Sequence, residues 1–252
     1  GLVLGVGNQR SIAWAVVERL HQQGAELGLT FLRDPKGRFE ANVRKLGEQT
    51  SATLIAECDV ASDESIGALI KQVDEQWGEL DFLVHSLAYA DTQDLSKPFS
   101  ETLRDGFSKA MEISAYSLLP LAKGVIPMMR KRGGGSIVSM SFIGSTLAVP
   151  NYNVMGPAKA ALESCTRYLA RELGPENIRI NSLSPGAIRT LSSAGIKDIS
   201  EMIRVAGEHS AMKRTATQAE VANTAAFLLS DAASGITGQL IYVDCGYSIM
   251  AN

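Results

Sequence analysis

Short apolar runs recur along the chain, separated by stretches whose hydrophobic positions fall three and four residues apart. LVLGV (2–6), ELGLTF (26–31), ATLIAECDV (52–60), DFLVHSL (81–87), SIVSMS (136–141), IRINSLSP (178–185) and LIYVD (240–244) read as β-strands. Most lack the alternation of a half-exposed strand, a pattern that suits strands covered on both faces in a parallel sheet. Between them, Ile12, Val16 and Leu20 recur every fourth residue, with Ala13 and Val17 beside them, as in an amphipathic helix. Leu162, Cys165 and Leu169 repeat that pattern after Lys159, and Gly174-Pro175 is expected to end the helix. Such repeated alternation implies right-handed crossovers and a Rossmann-type, doubly wound α/β fold with a parallel sheet of about seven strands. No linker, repeat or low-complexity tract interrupts it, and KRGGG (131–135) reads as a helix–strand turn. Residues 1–252 are therefore expected to form a single domain.

Composition agrees with this. The 252 residues are 45% hydrophobic and 20% charged, enough for one large core. The net charge is −3 and the basic residues are scattered, which argues against a nucleic-acid or anionic-membrane surface. Every apolar run is far shorter than the roughly 20 residues of a membrane span, and no signal-peptide pattern is present. Three widely spaced cysteines without a CxxC motif suit free thiols in a reducing, cytoplasmic setting. The chain opens inside a strand, so an initiator Met and a few residues are expected to precede this numbering. His21, His85 and His209 are scattered, so no metal site is expected, and His85 in its buried strand is expected to be structural.

Candidate chemistry begins at the first strand–helix turn, Gly5-Val6-Gly7-Asn8-Gln9-Arg10-Ser11-Ile12. Glycines let the backbone approach a ligand, and the helix N-terminus offers N–H groups to a pyrophosphate. The dinucleotide fingerprint GxGxxG is incomplete, because its third glycine is Arg10. Ser11 is either a plain helix cap or a phosphate donor. The second strand ends at Leu32-Arg33, where an acidic residue would bind a ribose hydroxyl and a basic one a 2′-phosphate. Leu32 offers neither, while Arg33 can meet a phosphate, stack on adenine or point to water. Asp59 and Val60 close the third strand and Ser86 and Leu87 the fourth, where they can wall a nucleotide or simply begin the next element.

Tyr152 precedes Lys159 by seven positions. Seven residues make about two helical turns, so the pair shares a face if a helix begins near Tyr152. Pro157 requires that helix to start shortly before it, with Asn151 or Asn153 as the expected cap. A lysine about 10 Å along the face is better placed to hold a cofactor ribose than to bond the phenol, and its charge favours a phenolate-like oxygen.

The segments GVGNQRSIA (5–13), CDVA (58–61), VHSLAYA (84–90), PNYNVMGPAKAALE (150–163) and INSLSPGAIRTLSSAGIKD (180–198) resemble the short-chain dehydrogenase/reductase superfamily. Within it they are similar to bacterial enoyl-acyl-carrier-protein reductases. ITGQLIYVD (236–244) supports the superfamily, and the six-residue Tyr–Lys spacing is the more specific mark, since ordinary members use three. The resemblance implies reduction of trans-2-enoyl thioesters by NADH, with NADPH possible, in type II fatty acid synthesis. It also implies an acyl carrier protein as partner and a homotetramer. Tyr152 matches the tyrosine that hydrogen-bonds the thioester carbonyl, and Lys159 the lysine that grips the nicotinamide ribose. Gly5, Ser11, Ile12, Asp59, Val60, Ser86, Leu87, Ile188 and Thr190 match cofactor contacts. Tyr89, Ala90, Met155, Ile196 and Met202 match the acyl pocket. Phe142 stands where many members carry a second tyrosine and is expected to form an apolar wall. Cys245 replaces a common glycine and is expected to affect packing only. The segment 190–210, with Leu191, Ile199, Ile203 and Val205, is the candidate lid. Lys197, Arg204 and Lys213 are either solvated charges or contacts for an acidic carrier. A carbonyl reductase of the same superfamily and a non-catalytic nucleotide sensor are the alternative readings.

Overall fold

The computed structural model describes residues 1–190, 193 and 198–251. Seven parallel strands run β1 (Leu2–Leu4), β2 (Gly28–Phe31), β3 (Leu54–Glu57), β4 (Phe82–His85), β5 (Gly135–Met140), β6 (Ile178–Pro185) and β7 (Leu240–Val243). Their spatial order is β3-β2-β1-β4-β5-β6-β7, so the order reverses between β1 and β4. That reversal opens a crevice at the carboxyl ends of the strands, the usual ligand position in such sheets.

The central strands feed two cores because their side chains alternate. Leu2 and Leu4 point into one apolar cluster and Val3 into the other; Leu83 joins the first, Phe82 and Val84 the second. Helices α3 (Asp63–Trp77), α6 (Leu118–Arg132) and α7 (Met155–Leu173) cover the first face. Helices α1 (Ile12–Gln22), α2 (Arg38–Gln49) and α9 (Gln218–Leu229) cover the second. Two serines inside the buried strands are satisfied by a shared hydroxyl network. Ser182 meets Ser139 at 2.8 Å and Thr166 of α7 at 2.9 Å.

Two local expectations need correction. Helix α7 begins at Met155 with Val154 as its cap, and no side chain bonds that cap. Asn151 and Asn153 take φ of 60° and 40°, so the chain at Tyr152 is a turn and not yet a helix. The Asn153 amide instead donates to the carbonyls of Leu95 (3.2 Å) and Lys97 (2.8 Å). At the far end α7 stops at Leu173 with Gly174 as its cap, as expected; Gly174 stays right-handed and leads into a 3-10 turn, and Asn177, with φ 58°, makes the reversal. Cys245 also lies in the left-handed region, with φ 57°, so its substitution for glycine bears on backbone strain and not on packing alone.

Two short helices, α4 (Thr92–Ser96) and α5 (Arg104–Met111), precede α6, and a π-helical segment, Glu112–Tyr116, joins α5 to α6. The last helix before α9, α8 (Ile199–His209), stands over the carboxyl end of the sheet, with Ile199 and Met202 facing the crevice.

Candidate active site

At the end of β1, Gly5 has φ +97°, and a β-carbon there would lie 2.0 Å from the Ser86 carbonyl oxygen. Only glycine lets the ends of β1 and β4 approach so closely. The incomplete fingerprint is completed by an asparagine: Asn8 Oδ1 accepts from the Arg10 N–H at 2.8 Å. Ser11 does cap α1, accepting from the Trp14 N–H at 3.3 Å, and it also lines the crevice. The helix start and its positive dipole end thus open on the site.

The crevice is a cleft of ≈ 330 Å³. It brings together Gly5, Ser11 and Ile12 after β1 with Ser86, Leu87, Tyr89 and Ala90 after β4. Phe142 follows β5, Ile188 and Thr190 follow β6, and Tyr152, Met155, Lys159 and Met202 complete the expected set. Asp59 and Val60 do not line it. Asp59 is exposed after β3, two strands from β1, and its carboxylate accepts from the Ala61 N–H at 3.0 Å. Ile196, Leu191 and Lys197 lie outside the described residues.

Tyr152 and Lys159 face one cleft although only Lys159 is helical. The turn before α7 folds the phenol back onto Phe142, with ring centroids 4.7 Å apart and planes tilted by 55°. Lys159 is buried, and its Nζ donates to the carbonyls of Met140 at 2.7 Å and Leu87 at 3.1 Å. An ammonium has three donors, so one remains after these two. Burial lowers the Lys159 pKa to about 8, against an opposing pull from Glu163. Burial, and then the Glu163 charge, push the Tyr152 phenol above its ordinary value. The expected phenolate-like oxygen is therefore replaced by a neutral phenol, which donates a hydrogen bond. A third apolar cluster, Leu95, Ala110, Tyr152, Val154 and Met155 with Ala90, Phe142 and Val149, forms the wall beyond these polar groups.

Several residues at the site carried no sequence signal of their own. Ser114, on the π-helical segment, accepts from the Tyr89 N–H at 2.9 Å and donates to the Tyr89 carbonyl at 3.2 Å. Glu163 accepts from the Ser141 hydroxyl at 2.5 Å, with both side chains buried. His85 is fully buried, as expected, and its Nε2 lies 2.8 Å from Ser117 Oγ. Of the three expectations for Arg33, the solvent-facing one holds: its side chain is exposed and pairs with Glu57 of β3 at 2.7 Å. Arg204 is neutralised by Glu201 and Glu208 on its own helix, each at 2.5 Å, while Lys213 Nζ donates to the Glu208 carbonyl at 3.0 Å.

Residues 5–248 match the family model described as enoyl-(acyl carrier protein) reductase. This chain belongs to that family. A curated relative from Synechocystis sp., an NADH enoyl-acyl-carrier-protein reductase, is 52% identical over 98% of this chain and 95% of its own length. The corresponding Neisseria meningitidis enzyme is 45% identical over 99% and 95%. Among solved structures, the NADH enoyl-acyl-carrier-protein reductase of Aquifex aeolicus superposes with TM-score 0.95 at 41% identity, covering 100% of this chain and 96% of that one. The Anaplasma phagocytophilum reductase, solved with NAD, gives TM-score 0.94 at 39% identity, covering 100% and 94%. The residues present in this chain fit a dinucleotide: the Gly5 approach, the open start of α1 and the spare Lys159 donor are the features such a group requires.

Proposed function

We propose that this chain reduces trans-2-enoyl thioesters carried on acyl carrier protein to saturated acyl thioesters, using NADH, in fatty acid synthesis. The observation that carries this reading is one cleft, at the switch point of the sheet, lined by Tyr152, Lys159 and an apolar wall. When bound, the nicotinamide would supply hydride to the β-carbon, and the α-carbon would then take a proton from Tyr152 or from water. Tyr152 donates a hydrogen bond to the thioester oxygen as charge develops there, which is worth about 3–4 kcal/mol in comparable sites. Lys159 holds the ribose and so fixes the approach of the reacting carbons. Phe142 brings no hydroxyl and excludes water from the ring of Tyr152. The Arg33–Glu57 pair supports NADH over NADPH, since the basic residue nearest the end of β2 is paired with a carboxylate.

The segment 190–210 closes over the acyl chain in this reading, with Met202 on its inner side. Assembly as a homotetramer in the cytoplasm goes with it, supported by the exposed Phe107, Tyr116 and Tyr168. Among the described residues no helix is long and apolar enough to cross a membrane.

The test follows nicotinamide absorbance with an enoyl thioester and, separately, a ketoacyl thioester, each with NADH and NADPH. Oxidation with the enoyl substrate and NADH is expected. Turnover confined to the ketoacyl substrate would overturn the proposal in favour of a carbonyl reductase.

A further inference from the structure

The inward face of α7 is apolar except for a polar stripe, Lys159, Glu163 and Thr166. Thr166 belongs to the closed network with Ser139 and Ser182. Glu163 is only 6% exposed, and a carboxylate there needs a counter-charge or donors to offset its loss of water. It has one of each. Ser141 Oγ donates to it at 2.5 Å, and Lys159 sits one helical turn earlier on the same face. We infer that Glu163 is a positioning residue: it serves as the buried counter-charge of Lys159 and, through Ser141, anchors the end of β5 beside Tyr152.

The anchoring has a definite path. Ser141 follows β5 directly, and its N–H donates to the Leu183 carbonyl at 2.6 Å. Its preceding neighbour, Met140, supplies the carbonyl that Lys159 holds at 2.7 Å, and its following neighbour, Phe142, packs on Tyr152. One carboxylate thus ties together the backbone that orients the lysine and the ring that backs the phenol. Burial works against the Lys159 charge and Glu163 works for it. The other titratable neighbours are His85 on β4 and Tyr152 in the preceding turn, both held neutral by burial. Arg104, Asp105, Lys109 and Glu112, on the α5 and π segments packed against α7, are exposed to solvent. Arg179, at the start of β6, is engaged by the Leu228 and Ser230 carbonyls.

This inference rests on the proposed role of Lys159 in holding the dinucleotide, and its affinity measurements need no enoyl substrate. NADH affinity is measured by fluorescence from pH 6 to 9.5 for the wild type, Glu163→Gln and Ser141→Ala. Glutamine keeps an acceptor for Ser141 and removes the charge. The expected result is near-normal affinity at pH 6, with the alkaline loss of affinity moved down by about one pH unit. Ser141→Ala keeps the charge, so its alkaline loss stays at the wild-type pH while kcat falls several-fold. An equal loss of affinity at every pH in Glu163→Gln, or no change at all, overturns the inference. If Glu163→Gln does not fold, thermal unfolding of Glu163→Met and of Lys159→Met/Glu163→Met decides. The double variant is expected to melt higher, because it leaves no unpaired buried ammonium, and an equal or lower midpoint overturns the counter-charge. A wild type that binds NADH but reduces no enoyl thioester would sink the proposed reaction and leave this test standing.

Discussion

Phe142 packs against the Tyr152 ring, and a β-carbon at Gly144 would lie 2.4 Å from the same ring, so the phenol is confined from both sides. A confined, neutral phenol is a preorganised donor, which is what a developing oxyanion requires. Tyr152→Phe is expected to lower kcat by about 10²–10³-fold with NADH affinity changed less than about twofold. Steady-state kinetics and fluorescence titration check the two halves. Cys245 gives a prediction of the opposite kind. Its left-handed backbone costs a residue with a β-carbon about 1 kcal/mol, so Cys245→Gly is expected to raise stability by about that amount. Urea denaturation measures it. At the scale of single side chains, the pair Tyr152 and Lys159 was legible because their spacing is a property of one short segment. The Arg33–Glu57 pair was not, because its partners come from two strands whose register no local pattern records.

Among the elements, the strands were the most legible, since parallel strands buried on both faces read as continuous apolar runs. The start of α7 was less so. Pro157 required a helix beginning close by, yet two asparagines with positive φ hold Tyr152 in a turn, and the cleft residues converge through that turn. The π-helical segment left no trace in the pattern, because its extra residue shifts the face of a helix that is amphipathic on either side. Its consequence is local and testable. Ser114 satisfies both the N–H and the carbonyl of Tyr89, so Ser114→Ala leaves both without this partner. The expected cost is about 1–2 kcal/mol of stability, with KM for the enoyl thioester rising more than KM for NADH. Equal changes in the two KM values would argue against a role at the acyl end of the cleft.

Across the fold, the site and the core share titratable groups. Burial, reinforced by the Lys159 charge, lowers the His85 pKa to about 3. Above pH 6.5 the imidazole is neutral whether the chain is folded or unfolded, and it adds no pH dependence. Below 6.5 only the unfolded chain takes up the proton, so stability falls as pH drops towards 3. The loss is about 2 kcal/mol by pH 5 from this group. His85→Gln is expected to flatten that part of the profile, as urea midpoints between pH 5 and 7 can show. The sequence alone was enough to indicate a doubly wound parallel sheet, from repeated strand and helix patterns, and the candidate glycine turn at Gly5 and the Tyr152–Lys159 pair, each from one short motif. The roles of Glu163, Ser141, Ser114 and Arg33 came from the folded chain alone. Their partners lie on other elements, and those meetings depend on crossover and register, which a linear pattern does not carry.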